Sequence, residues 1–237
     1  MNTVESTAET GKGSFSDLYA LLKPRVMWLA VFTAAVGIII APKQNSLFLS
    51  LIILLCISIG AGAAGVLNMW WDKELDNVME RTRGRPLPNE KISSDDAFVF
   101  GVSLSMFSVM FLGLVSNWLA AFLLGATIFF YLVVYSVFLK KTTPQNIVIG
   151  GAAGAMPPLI GWVASTGTLS VEPCLLFLFI FLWTPPHFWA LALYKDVEYS
   201  KVNIPMLPVI KGKYVTKCQI LIYSFILAIA SLAPYFY

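Results

Sequence analysis

The chain has 237 residues, of which 58% are hydrophobic and only 12% charged, and its mean hydropathy is +0.76. That balance excludes an ordinary soluble domain and marks an integral membrane protein. A net charge of +3 offers no footing for nucleic acid, and the single histidine excludes any site that needs two from one chain.

Residues 1–25 form a polar segment containing Glu5, Glu9 and Asp17. It has no apolar core followed by a small-residue cleavage site, so no cleavable leader is expected and the amino terminus should stay in the cytoplasm. Residues 26–237 hold seven apolar stretches, at about 26–41, 47–67, 97–116, 118–139, 146–165, 171–193 and 218–237. Each approaches or reaches the ~20 residues that a helix needs to cross ~30 Å of hydrocarbon. The expected fold class is all-α, a multi-pass transmembrane helix bundle. With the start inside, the inner segments carry nearly all the lysine and arginine, and the outer ones only Lys43. Basic residues are retained on the cytoplasmic side, so residues 68–96 and 194–217 should both lie there. Each of these segments follows an even-numbered span and holds acids, bases and prolines, a weak internal repeat that would set two loops face to face over a shared cavity. Cys56, Cys174 and Cys218 stand alone in or beside spans, which indicates packing and neither a metal site nor a disulfide.

The first loop opens with Asn68-Met69-Trp70-Trp71-Asp72-Lys73-Glu74-Leu75-Asp76. On a helix, Asn68, Asp72 and Asp76 recur with ~40° of drift and ~6 Å of rise per step, so all three project from nearly one face. Carboxylates at the mouth of an apolar span are costly and imply a task. Magnesium takes one or two carboxylates together with waters and phosphate oxygens, which Asp72 and Asp76 can satisfy, with Asn68 extending the stripe. Arg81, Arg83 and Arg85 follow as donors suited to phosphate. The small-residue runs Gly60–Gly65 and Gly150–Ala155 should let helix backbones approach closely, and Pro157-Pro158 should kink or unwind the fifth span. In the sixth span, Trp183-Thr184-Pro185-Pro186-His187-Phe188-Trp189 sets an ionisable residue among aromatics well inside the expected span, a functional candidate at that depth. At its end Lys195, Asp196, Glu198, Tyr199 and Lys201 supply carboxylates for a second cation and donors for phosphate. A transporter would spread polar residues through the membrane depth, whereas here they gather at one mouth.

The segment NMWWDKELDNVMERTRGRPLP closely resembles the first aspartate-rich motif of the intramembrane aromatic prenyltransferases, the superfamily that includes the 4-hydroxybenzoate polyprenyltransferases and chlorophyll synthase. GAMPPLIGW, WTPPHFWALALYKDVEY and NIPMLPVIKG are similar to the branch that prenylates heme, and the match runs from about Lys23 to the last residue. The resemblance implies helices around a cytoplasm-facing cavity, nine in the family against seven here, so the chain reads as carboxy-terminally incomplete. It implies farnesyl diphosphate and heme b as substrates, heme O as product and Mg2+ as cofactor. Asp72, Asp76, Arg83, Lys195 and Tyr199 would be catalytic. Asn68, Asp72, Asp76, Asp196 and Glu198 would hold metal, although the second motif of the family usually has Asp where Glu198 stands. Arg81, Arg83, Arg85 and Lys195 would hold diphosphate, and His187 heme. It further implies a bacterial cytoplasmic (inner) membrane or a mitochondrial inner membrane, lipid contact, and heme A synthase or terminal-oxidase assembly factors as candidate protein partners. The alternatives are a quinone precursor or chlorophyll-type acceptor, or an inactive scaffold that delivers heme.

Overall fold

The computed structural model describes residues 13–43, 45–194 and 204–236. Ser14 caps the short helix α1 (Phe15–Leu21) through a reciprocal bond with Asp17, a capping box that satisfies two donors at the helix start. Lys23 then takes a left-handed backbone conformation, φ 53°, and Pro24 opens α2 (Pro24–Ile40), bent 57° from α1. Next come α3 (Leu47–Trp71), α4 (Lys73–Val78), α5 (Ser94–Val115) and α6 (Trp118–Phe129). Ser46, Ser93 and Asn117 cap α3, α5 and α6 with side-chain oxygens, the usual means of satisfying the first free amides of a helix. The remaining long helices are α7 (Asn146–Thr166), α8 (Val171–Tyr194) and α9 (Leu207–Ala230).

The apolar stretches become these helices, with three departures. The span expected at 118–139 is α-helical only to Phe129 and then π-helical over Phe130–Leu139. The stretch expected at 218–237 is helical from Leu207, passes a break at Gly212 (φ 80°, ψ 166°) and leaves the α-helix at Ser231. Lys211, Lys213 and Lys217 conceal its first turns from a hydropathy reading. Pro157 and Pro158 do not unwind α7, which stays helical through both.

The most extensive packing joins α3 to α5, α2 to α7, α7 to α8 and α8 to α9. Lipid tails are as apolar as leucine, so close backbone approach and dispersion hold such helices together. At the α2–α7 crossing a Cβ on Gly37 would collide with the Pro158 carbonyl, and one on Gly161 with the Ala34 carbonyl. Hydrogen in place of a side chain is what permits that approach. Ile53, Cys56, Ile57, Leu112, Leu124, Ile160 and Val163 fill the core beside it. Gly60, Gly62, Gly150 and Gly151 likewise abut Leu124, Leu22, Tyr135 and Thr184, whereas Gly154 faces open space. Large apolar side chains such as Phe48, Leu51, Phe107, Phe122 and Phe129 point outward, as a lipid-facing surface requires.

Two smaller apolar clusters order the polar end. Leu21, Val66, Met69, Leu87, Ile92 and Ala97 pin α1 and the first loop to α3 and α5, and Lys91 reaches Asp17 at 3.5 Å. Leu75 and Met79 from α4 and the turn after it meet Ile147 of α7 and Ile204 and Met206 of the second loop. The described end of the second polar loop, from Ile204 to Met206, therefore stands against the first at one end of the bundle.

Candidate active site

α3 ends at Asp72, but the backbone barely interrupts. The Asp72 amide donates to the Asn68 carbonyl at 3.0 Å and the Asp76 amide to the Asp72 carbonyl at 2.8 Å. The four-residue spacing thus survives the join with α4, and Asn68, Asp72 and Asp76 are all at most 5% exposed. Buried carboxylates need compensation, and each has found a cation. Lys140 Nζ donates to Asp72 Oδ2 at 2.6 Å, and Arg85 Nη1 to Asp76 Oδ2 at 2.6 Å.

Asn68 knits the cluster. Its Nδ2 donates to Asp72 Oδ2 at 2.8 Å and to Ser136 Oγ at 2.9 Å, while its Oδ1 accepts from Lys23 Nζ at 2.6 Å. Lys23 lies in the link before α2, and the burial of its ammonium pushes it down from the usual lysine range to about 7. Arg85 acts in the same direction, and the carboxylates of Asp76 and Asp72 oppose it. Asp72 Oδ1 is buried with no hydrogen-bond partner among the described residues. Such an atom is costly unless something outside the chain supplies the missing contact. A hard divalent cation prefers carboxylate oxygen, so the donor set present fits Mg2+.

The loop that carries the arginines is held from within. Thr82 Oγ1 donates to the Asp76 carbonyl at 3.1 Å, and Asn89 Nδ2 donates to the carbonyls of Arg83 at 2.9 Å and Arg85 at 3.0 Å. Leu87 is fully buried beneath them. The three arginines do not act alike. Arg85 is committed to Asp76, while Arg81 and Arg83 are exposed with their charges available.

His187 of α8 is exposed, stacked on Trp183 (ring centroids 4.3 Å apart) and edge-on to Phe188 at 5.4 Å. Among the described residues no hydrogen bond or ion pair links it to the carboxylates. Lys195, Asp196, Glu198, Tyr199 and Lys201 lie outside the described residues. Lys23, Ser136 and Lys140 were not legible as site residues. The only signal for Lys23 and Lys140 was a basic residue at a span end, which reads equally well as topology, and Ser136 inside its span gave none.

A helical membrane bundle whose one mouth sets two buried carboxylates among lysines and arginines belongs to the class of intramembrane enzymes that handle anionic, lipid-soluble substrates. Residues 30–237 match the model of the UbiA prenyltransferase family, and the chain belongs to that family. It is 56% identical over 228 residues to a protoheme IX farnesyltransferase of Parvibaculum lavamentivorans, covering 96% of this chain and 72% of the relative. It is 54% identical to those of Bartonella henselae, with 94% and 72% covered, and Sinorhizobium fredii, with 98% and 73% covered. Among solved structures, digeranylgeranylglyceryl phosphate synthase superposes with a TM-score of 0.78 at 21% identity, over 93% of this chain and 77% of that one. A UbiA homologue from Archaeoglobus fulgidus bound to DMAPP and Mg2+ superposes with 0.72 at 18% identity, over 90% and 76%. At those identities the likeness bears on the fold.

Proposed function

We propose that this enzyme transfers the farnesyl group of farnesyl diphosphate to the 2-vinyl group of heme b, giving heme O and diphosphate. The observation that carries the donor half is the buried Asp72–Asp76 pair with one carboxylate oxygen left unsatisfied among the described residues; the acceptor half rests on the relatives' shared name. Asp72 and Asp76 would hold Mg2+ together with Asp196 and Glu198 of the second loop, while Asn68, whose carbonyl accepts from Lys23 and whose amide donates to Asp72 and Ser136, would orient the cluster and not ligate the ion. When bound, the cation neutralises charge on the departing diphosphate.

The chain's own groups do the rest. Lys23, Lys140, Arg81 and Arg83 would set positive charge about the leaving oxygens, and Lys195 and Tyr199 of the second loop would add a further charge and a hydrogen bond. The allylic C–O bond breaks and the farnesyl carbon bonds the terminal vinyl carbon of heme. Water then adds to the resulting cation and a proton departs, so heme b, farnesyl diphosphate and water balance heme O and diphosphate. The apolar bundle interior takes the isoprenoid tail and keeps water from the cation until that step. His187, stacked on Trp183, contributes an axial iron ligand or a porphyrin-orienting contact.

We place the polar mouth on the cytoplasmic face of a bacterial inner membrane, or the corresponding face of a mitochondrial inner membrane, by its excess of lysine and arginine. Heme A synthase and terminal-oxidase assembly factors are the protein partners this product would require. The deciding experiment is mass spectrometry after incubation with heme b, farnesyl diphosphate and Mg2+. Heme O is the expected product, and prenylation of a quinone precursor or chlorophyll-type acceptor instead would overturn the assignment. His187→Ala should weaken heme binding and shift the bound-heme absorption spectrum; an unchanged affinity and spectrum would make the residue structural.

A further inference from the structure

We propose that Ser136 is a positioning residue of this site, one that decides through Asn68 which oxygen of Asp72 is offered to a divalent cation. The inference rests on the metal–diphosphate reading above. Ser136 is fully buried and lies in the π-helical segment Phe130–Leu139. Its hydroxyl proton is spent on the Tyr131 carbonyl, five residues back, at 2.9 Å. Toward Asn68 it can therefore present only a lone pair, and it requires the NH2 end of that amide.

The consequence passes along the chain of bonds. With both amide protons used on Ser136 and Asp72, the carbonyl of Asn68 must face Lys23, as it does. A flipped amide would set its NH2 against an ammonium and its carbonyl against a carboxylate. Asp72 Oδ2 is thus saturated by Asn68 and Lys140, and among the described residues Oδ1 is left without a partner. Lys140 leaves the same π-helical turn, its amide donating to the Tyr135 carbonyl at 2.9 Å. One wide turn therefore supplies both the group that orients Asn68 and the cation that occupies Oδ2. π-Helical turns of this kind are rare and frequently mark functional sites.

Mn2+ is the probe, titrated into the purified chain with farnesyl diphosphate and read by electron paramagnetic resonance. Ser136→Ala should weaken Mn2+ binding about tenfold, the scale of one buried hydrogen bond and its unsatisfied partner. In an Asn68→Ala background the same change should shift affinity less than about twofold, because the two residues act as one unit. Ser136→Cys, whose sulfur is a weak acceptor, should bind with intermediate affinity and covers the case in which the alanine chain fails to fold. Wild-type affinity in Ser136→Ala or Ser136→Cys, or an equal loss with and without Asn68, would overturn the assignment while leaving the metal reading intact. A wild-type chain that takes up no Mn2+ would overturn both.

Discussion

Asp72 and Asp76 stand one helical turn apart yet are supported in different ways. Asp76 is clamped by Arg85, nine residues on, whereas Asp72 is paired with Lys140 across the bundle. Replacing either carboxylate by an amide keeps its volume and removes its charge. Asp72→Asn and Asp76→Asn should each cut heme O formation at least ~100-fold, the cost of one strong contact to a developing anion. Product formed against Mg2+ concentration checks this. Lys140→Met should add a stability defect of about 2–3 kcal/mol, because it leaves a largely buried carboxylate without its cation. Thermal unfolding in detergent measures it, and Lys141→Met, whose exposed side chain has no such partner in the cluster, is the control. At this scale the aspartates could be read from the sequence because their spacing is local. Lys23 and Ser136 could not, since they meet Asn68 across 45 and 68 residues of chain, and only the packed bundle brings them together.

The α2–α7 crossing is the tightest element-level feature. Gly37→Ala and Gly161→Ala should each destabilise by about 1–3 kcal/mol, because a methyl group there meets backbone carbonyls that cannot step aside. Gly154→Ala in the same helix faces open space and should fall within about 0.5 kcal/mol of wild type. A ranked series of melting temperatures would decide the matter. The spans themselves were legible because hydrophobic length is a strong signal. The π-helical end of the fourth span was not, since α and π turns carry the same apolar composition and differ only in which carbonyl each amide reaches. The left-handed Lys23 was equally hidden, as a non-glycine residue takes that conformation only under tertiary constraint.

Across the whole molecule, Lys23, Arg85, Lys91 and Lys140 gather at one end through contacts with Asn68, Asp76, Asp17 and Asp72. A cysteine placed at Gly84, which is exposed and unobstructed, should be modified by a thiol probe from the cytoplasmic side only, once the three native cysteines are replaced by alanine. Labelling of sealed cells by an impermeant reagent would invert the topology. The charge distribution made this arrangement readable from sequence, but the joint between the loops was not, because Leu75, Met79, Ile204 and Met206 look like ordinary apolar residues in polar surroundings. That joint has an evolutionary corollary. Residues 68–96 and 194–217 are far apart in the gene, yet they share one apolar seam. A mosaic that takes one loop from a distant relative and the other from this chain inherits two mismatched halves of it. Recombination between lineages should therefore be tolerated where both loops travel together, and drift on one side of the seam should be answered by compensating change on the other.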